Sequence, residues 1–455
     1  MRRMAKDLQP AEQRSGWISS WLPSWCPTSL SQLKDAEDKM LKSVKAPFSR
    51  QHVRISNGNY LWTLAFPSHI KPHPSLPPQP QPKPHPSLPH QPQPHPSLPP
   101  QPQPHLSLPP QPQPHPSLPP QPQLHPSLPP QPQPHLSLPP QPQPKPHISL
   151  PPHIQPHPSS PQPSLQPRPP LVLLHGFGGG VGLWAQNLDS LCGSGAVYAL
   201  DLLGFGQSSR PLFSVDPQGA EEQFLGALEE WRDRVGLEEI VLLGHNLGGY
   251  LAAAYTLTHP HRVKHLILVE PWGIPARPES LDQEKSIPVW IRAMGAVMSP
   301  FNPLAGLRLA GPLGPMLIQT IRSDFKQKYS SVFDDNTVSD YIYHLNAQTP
   351  SGETAFRNMT VPYGWAKRPM LDRIGQIQPD IPISIIYGSR SSIDSDSGYT
   401  IQKIRPDVDI IVIRGGGHYV FADQPDDFNQ NVLHILARME GDKEKRSGVD
   451  EKEGK

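Results

Sequence analysis

The chain has 455 residues, 66 of them proline, and a formal net charge of +1 at pH 7. That balance gives neither the basic footprint of a nucleic-acid surface nor a field for a polyanionic partner, so no nucleic acid is expected among its partners. Two cysteines, Cys26 and Cys192, make no disulfide framework and fit a reducing compartment. The opening "MRRMAKDLQPAEQR" lacks the apolar core of a secretory signal, and no run of about 18 apolar residues follows, so a cytosolic protein that meets membranes only peripherally is expected.

The first segment, 1–50, carries Trp17, Trp21 and Trp25, with Ile18 and Leu22 beside them. A spacing of four makes one aromatic stripe on a helix, but Pro23 and Pro27 break such a helix into a compact turn. Tryptophan prefers the boundary between apolar chains and water, where the ring is buried and its N–H stays wet. Three of the nine tryptophans fall within nine residues, ahead of the first strand. The segment therefore reads as a lipid anchor rather than as core. A polar helix from about Ser29 to Val44 follows and would link anchor to domain. "HVRISNG" and "YLWTLAF" then read as two strands about a turn at Asn57-Gly58.

Between Pro67 and Pro170 lie 44 of the 66 prolines, 12 of the 21 histidines and no acidic residue. His95, His105, His115, His125 and His135 mark five in-register copies of a unit close to "HPSLPPQPQP". Such a stretch buries too little apolar surface to offset the entropy of ordering it. The segment 67–170 thus reads as a disordered, partly polyproline II insert that could extend roughly 300 Å. It would sit in a surface loop, since closure entropy grows only logarithmically with length. It reads as an expansion of the repeat; the alternative is a ligand for proline-recognising domains.

From Leu171 the alternation is regular: "LVLL", "AVYALDLLG", an amphipathic stretch from Ala220 to Val235, "IVLLG", a helix after Asn246, "HLILVEP", "IPISIIYG" and "VDIIVIRGGGH". Short apolar runs separated by helical periods predict an α/β fold with a mostly parallel central sheet covered on both faces. This α/β domain spans 51–66 and 171–437. Residues 272–377 break the rhythm and read as a helical cap over the carboxyl ends of the strands, where ligands bind in open α/β sheets. Basic residues in that cap, such as Lys367 and Arg368, could meet phosphate or partner carboxylates, although scattered surface charges usually do neither. The tail, 438–455, is highly charged and expected to be disordered.

Four features occur in the order of an α/β-hydrolase. "HGFGGG" at His175 to Gly180 would offer an oxyanion-hole N–H at Phe177. The strand, turn and helix around "GHNLGG" would offer a second at Leu247. Asp394 stands where the triad acid belongs, and His418 where the base belongs. The nucleophile's place, however, is held by Asn246. A triad works because histidine takes a proton from a hydroxyl and leaves an attacking oxygen. An amide nitrogen has its lone pair delocalised, so Asn246 excludes covalent acyl transfer, although asparagine tolerates the positive φ of the turn better than most residues. His418 also opens an H-x-x-x-x-D pattern ending at Asp423. Asp423 precedes "QPDDFNQNVLHIL" and would cap that helix, the alternative being a catalytic partner to His418.

Outside the insert, from Ser15 to about Ile435, the chain resembles the abhydrolase-domain family of lipid-droplet coactivators of adipose triglyceride lipase. "GWISSWLPSWCPTSLSQLKDAEDKML", "LVLLHGFGGGVGLWA", "LDLLGFGQSSRP", "LLGHNLGGYLAAAY", "LILVEPWG", "TPSGETAF", "PYGWAKRPML" and "GGGHYVFADQP" carry the resemblance. Asparagine in the turn is the discriminating letter, since the related lysophospholipases on N-acyl phospholipids have serine there. The resemblance implies an α/β-hydrolase fold with a helical cap, no tightly bound cofactor and no metal. It implies partners on the droplet surface: a triglyceride lipase, perilipin-type coat proteins and the phospholipid monolayer. It also implies a second reading, a lysophosphatidic acid acyltransferase with acyl-CoA as substrate and with His418 and Asp423 as its catalytic pair.

Overall fold

In the computed structural model the described residues are 28–68, 168–277, 304–361, 364–391 and 396–453. Trp17, Trp21, Trp25, most of the insert and Asp394 lie outside them. The strands are β1 (Ser49–Arg54), β2 (Tyr60–Phe66), β3 (Leu171–Leu174), β4 (Val197–Leu200), β5 (Ile240–His245), β6 (Val263–Val269), β7 (Ile383–Gly388) and β8 (Asp409–Ile413). They form one sheet in the order β1-β2-β4-β3-β5-β6-β7-β8. β2 pairs antiparallel with both β1 and β4, and every other pairing is parallel. The turn between β1 and β2 uses Asn57 and Gly58 at φ 60° and 71°, as that dipeptide predicts.

The helices, in chain order, are α1 (Leu30–Leu41), α2 (Leu188–Leu191), α3 (Pro217–Val235), α4 (Leu247–Thr258), α5 (Ala305–Ala310), α6 (Gly314–Ile321), α7 (Asp324–Lys328), α8 (Thr337–Asn346), α9 (Gly352–Met359), α10 (Asp396–Ile404), α11 (Val420–Asp423) and α12 (Pro425–Glu453). α3 begins three residues before the amphipathic stretch because Asp216 caps it, accepting from Gly219 N–H at 2.8 Å with Pro217 in the first turn. Gly236 at φ 79° ends it. α5 to α9 occupy the region expected to form the cap, whereas the charged tail expected to be disordered continues α12 as helix through Glu453.

Alternate residues of the central strands feed two cores. Val172, Leu174, Ile240 and Leu242 face α3 and α4, among Phe224, Trp231, Tyr250 and Tyr255. Leu171, Leu173, Val241 and Leu243 face the other side, among Leu33, Trp184, Tyr341, Phe421 and Phe428. Both faces are therefore dry, which is why β3 and β5 read as unbroken apolar runs.

α1 is no simple linker. Ser29 caps it by accepting from Gln32 N–H at 3.2 Å, and Leu33, Ala36, Met40 and Leu41 are buried in the second core. Glu37, 1% exposed, goes in with them, its Oε1 accepting from Trp62 Nε1–H at 2.8 Å. Burial, reinforced by neighbouring Asp201, pushes the Glu37 carboxyl up to about 8. Asp201 is itself fully buried, and that burial lifts it to about 7, although the amides of Val181 and Gln207 donate to it at 2.9 and 2.8 Å.

Both shifts raise the folded-state value above the unfolded one. Their contribution to stability is whole below the ordinary carboxylate range and is lost as pH rises through 7 to 8. Thermal unfolding followed by circular dichroism should show the melting temperature falling by about 3 °C between pH 7 and pH 9, above the range in which the buried His175 and His245 oppose it. Glu37→Gln, which leaves no acid to ionise there, should flatten that fall; an unchanged slope would contradict the assignment.

Candidate functional site

β5 ends at His245, the chain turns sharply at Asn246, and α4 starts at Leu247. Asn246 sits at φ 51°, ψ −114°, a conformation that costs a non-glycine residue about 1–3 kcal/mol and persists only where the surroundings enforce it. The surroundings are tight. A Cβ on Gly248 would come within 2.5 Å of the Leu174 carbonyl oxygen, and one on Gly244 within 2.2 Å of the Gly248 oxygen. The two glycines let the helix start press against the end of β3, which brings the "HGFGGG" loop over Asn246.

There the side chain meets the loop. Phe177 N–H donates to Asn246 Oδ1 at 3.2 Å. The backbone donor expected to serve a substrate oxyanion is thus already paired with the carboxamide that replaces the nucleophile. Leu247, the second expected donor, is the first residue of α4, with its side chain fully buried.

His418 follows β8 on a glycine-rich turn. Its carbonyl accepts from His245 Nε2 at 2.9 Å, and its Nδ1 has no hydrogen-bond partner among the described residues. Nδ1 faces Glu270 Oε2 at 3.6 Å. Glu270 directly follows β6, at φ 46°, and is wholly buried. Its Oε1 accepts from Gly388 N–H at 2.6 Å and its Oε2 from the Ser391 hydroxyl, so the carboxylate bridges the carboxyl ends of β6 and β7. The sequence reading assigned the acid to Asp394, which lies outside the described residues, and did not single out Glu270. The signal was present in "HLILVEPWG", an acid between the end of an apolar run and a proline.

Two further histidines are neutral parts of the frame. His175 accepts Leu202 N–H on Nε2 at 3.0 Å and donates from Nδ1 to the Gly176 carbonyl at 2.8 Å. Burial drives it down to about 4. Burial, followed by the proximity of His418, holds His245 well below the usual imidazole range.

Asp423 requires a correction. It does not cap α12: its Oδ2 accepts from Gly417 N–H at 2.9 Å and its Oδ1 pairs with Lys328 of α7. The Gln424 carbonyl, not Asp423, takes the Phe428 N–H at the start of α12. Both basic residues named in the cap have hydrogen-bond partners within the domain. Arg368 binds Glu221 at 3.1 Å beside Arg373, and Lys367 Nζ donates to the Asn358 carbonyl at 2.8 Å.

The cap closes over the loop. Asn346 Nδ2–H donates to the Gly178 carbonyl at 2.8 Å, and Gly182 N–H donates to the Tyr341 hydroxyl at 2.9 Å. Above Asn246 the rings of Phe177 and Phe356 lie 4.4 Å apart and those of Phe356 and Trp272 4.7 Å apart. No cluster of three metal-ligating side chains occurs among the described residues. The arrangement can hold an imidazole beside a buried carboxylate, a geometry suited to accepting a proton, but it has no attacking side chain at the turn.

Residues 169–425 match the family model of the alpha/beta hydrolase fold. The chain is 49% identical over 431 residues to 1-acylglycerol-3-phosphate O-acyltransferase ABHD5 of Homo sapiens, covering 94% of this chain and 96% of that one. It is 40% identical over 434 residues to (Lyso)-N-acylphosphatidylethanolamine lipase of Bos taurus, covering 95% and 98%. Among solved structures it resembles carboxylesterase CesB of Bacillus subtilis, with a TM-score of 0.50 at 14% identity over 90% of this chain and 98% of the other, which bears on fold alone.

A fluorophosphonate probe should leave the full-length protein unlabelled under conditions that label a serine esterase completely, as read by intact mass. Any covalent adduct would show that another hydroxyl does the work denied to Asn246.

Proposed function

The chain belongs to the α/β-hydrolase fold family, on the branch of the ABHD5 proteins, and from that premise we propose that it is a pseudo-hydrolase of the lipid-droplet surface that activates a triglyceride lipase and so promotes triacylglycerol breakdown. The observation that carries this reading is Asn246, whose carboxamide can neither attack a carbonyl nor leave the Phe177 N–H open to one. A fold retained around such a turn acts through what it docks to. Trp17, Trp21 and Trp25 would hold it on the phospholipid monolayer, among perilipin-type coat proteins. No helix among the described residues is long and apolar enough to cross a membrane, which is in keeping with a peripheral attachment.

A second reading is favoured by His418 Nδ1, which faces Glu270 and has no hydrogen-bond partner among the described residues, and by the acyltransferase name of the relatives. In it His418 takes the proton of a lysophosphatidic acid hydroxyl. The oxygen then attacks the acyl-CoA thioester carbonyl, the C–S bond breaks, and CoA thiolate leaves to take up a proton. No acyl group need rest on Asn246.

One assay pair separates them. The pure protein should release no fatty acid alone but raise release severalfold when added to a triglyceride lipase on emulsified triacylglycerol; failure to stimulate would remove the first reading. His418→Ala should keep that stimulation. On lysophosphatidic acid and acyl-CoA, turnover that drops about 10²-fold or more in His418→Ala would establish the second reading, and turnover unchanged by the substitution would remove His418 as its base.

A further inference from the structure

The cap reaches the turn that carries His418 through a charged pair. Lys328 ends α7, Asp423 ends α11, and their side chains are only 14% and 10% exposed where they meet. The other oxygen of Asp423 takes Gly417 N–H at 2.9 Å. The next residue is His418, whose carbonyl is held by His245 at 2.9 Å. The backbone of His418 is therefore fixed from both sides, by the elbow strand through His245 and by the cap through Asp423.

The contact is built up around the pair. The Arg322 guanidinium lies 4.2 Å from the centre of the Phe325 ring and 5.2 Å from that of Tyr419, and those two rings are 4.8 Å apart. The Lys328 carbonyl accepts from Gln186 Nε2 at 3.0 Å, and the Tyr329 hydroxyl donates to the Leu183 carbonyl at 2.6 Å. α7 is thus seated on the segment that follows the glycine loop, with its terminal lysine paired to the Asp423 that holds the His418 turn.

We propose that Lys328 and Asp423 form a latch through which the cap sets the position of His418. Asp423 is a positioning residue rather than a catalytic one: one oxygen serves the cap, the other the turn, and neither remains for a reacting group. Displacing α7, whether by an acyl chain or by a docked protein, removes the cation from Asp423, and the clamp on Gly417 loosens with it. The latch rests on the function proposed above only in making cap displacement the event felt at His418.

Hydrogen exchange of full-length protein, followed by mass spectrometry over peptides spanning 414–424, tests it. Lys328→Met and Asp423→Asn should each speed exchange at the Gly417–His418 turn about ten-fold, and the double variant should exceed neither, because both remove the same link. Lys328→Arg, which keeps the charge, should restore protection. Unchanged exchange in Lys328→Met, or multiplying effects in the double variant, would overturn the latch. Asp423→Asn is isosteric and still able to accept from Gly417, so it decides alone should Lys328→Met fail to fold. A wild-type protein that stimulates no lipase would defeat the proposed function, whereas the exchange pattern would still decide the latch.

Discussion

Backbone N–H groups at the mouth of a hydrolase site do their work by waiting without a strong partner until negative charge develops on a substrate oxygen. Here the wait is over before any substrate arrives, because Phe177 N–H donates to Asn246 Oδ1. One side chain removes both halves of the chemistry. It has no electron pair fit to attack a carbonyl, and its own carbonyl oxygen occupies a place where the attacked one would sit. A neutral hydrogen bond of this kind contributes about 0.5–1.5 kcal/mol, so the pairing also helps to hold the turn that strains Asn246.

Around that contact the hydrolase frame is intact. Gly244 and Gly248 still permit the close approach of strand and helix, and His175 and His245 still support the loop and the turn as neutral donors and acceptors. His418 still faces a buried carboxylate, Glu270. Among the contacts that fasten the cap are those of Asn346 and Tyr341 to the glycine loop, Phe356 to Phe177, Tyr329 to the Leu183 carbonyl, Arg368 to Glu221 and Lys328 to Asp423. The frame thus holds its loop, imidazole and cap in register around an asparagine at the nucleophile's place.

Much of this was legible in the chain. "LVLL" and "IVLLG" announce strands buried on both faces, and the glycines around His245 and Asn246 announce the sharp turn, because both signals are local. What escaped depends on partners far away in sequence. The buried stripe Leu33, Ala36 and Met40 is diluted by Lys34, Asp35 and Asp38, so α1 reads as polar until a second core is there to receive it. Glu270 looks like the start of a loop until Gly388 and Ser391, more than a hundred positions on, come to its carboxylate. Asp423 stands in a natural capping position by sequence, yet Gly417 and Lys328 compete for it and win, since an ammonium and an amide satisfy both its oxygens at once.

The most direct measurement is hydrogen exchange of the Phe177 amide, resolved by nuclear magnetic resonance, in the wild type and in Asn246→Ala. An amide held by the elbow side chain should be protected in the wild type and exchange about ten-fold or more faster once the carboxamide is gone. Equal rates in the two proteins would mean that Asn246 does not fill the donor, and the proposal of a pseudo-hydrolase would lose the observation that carries it.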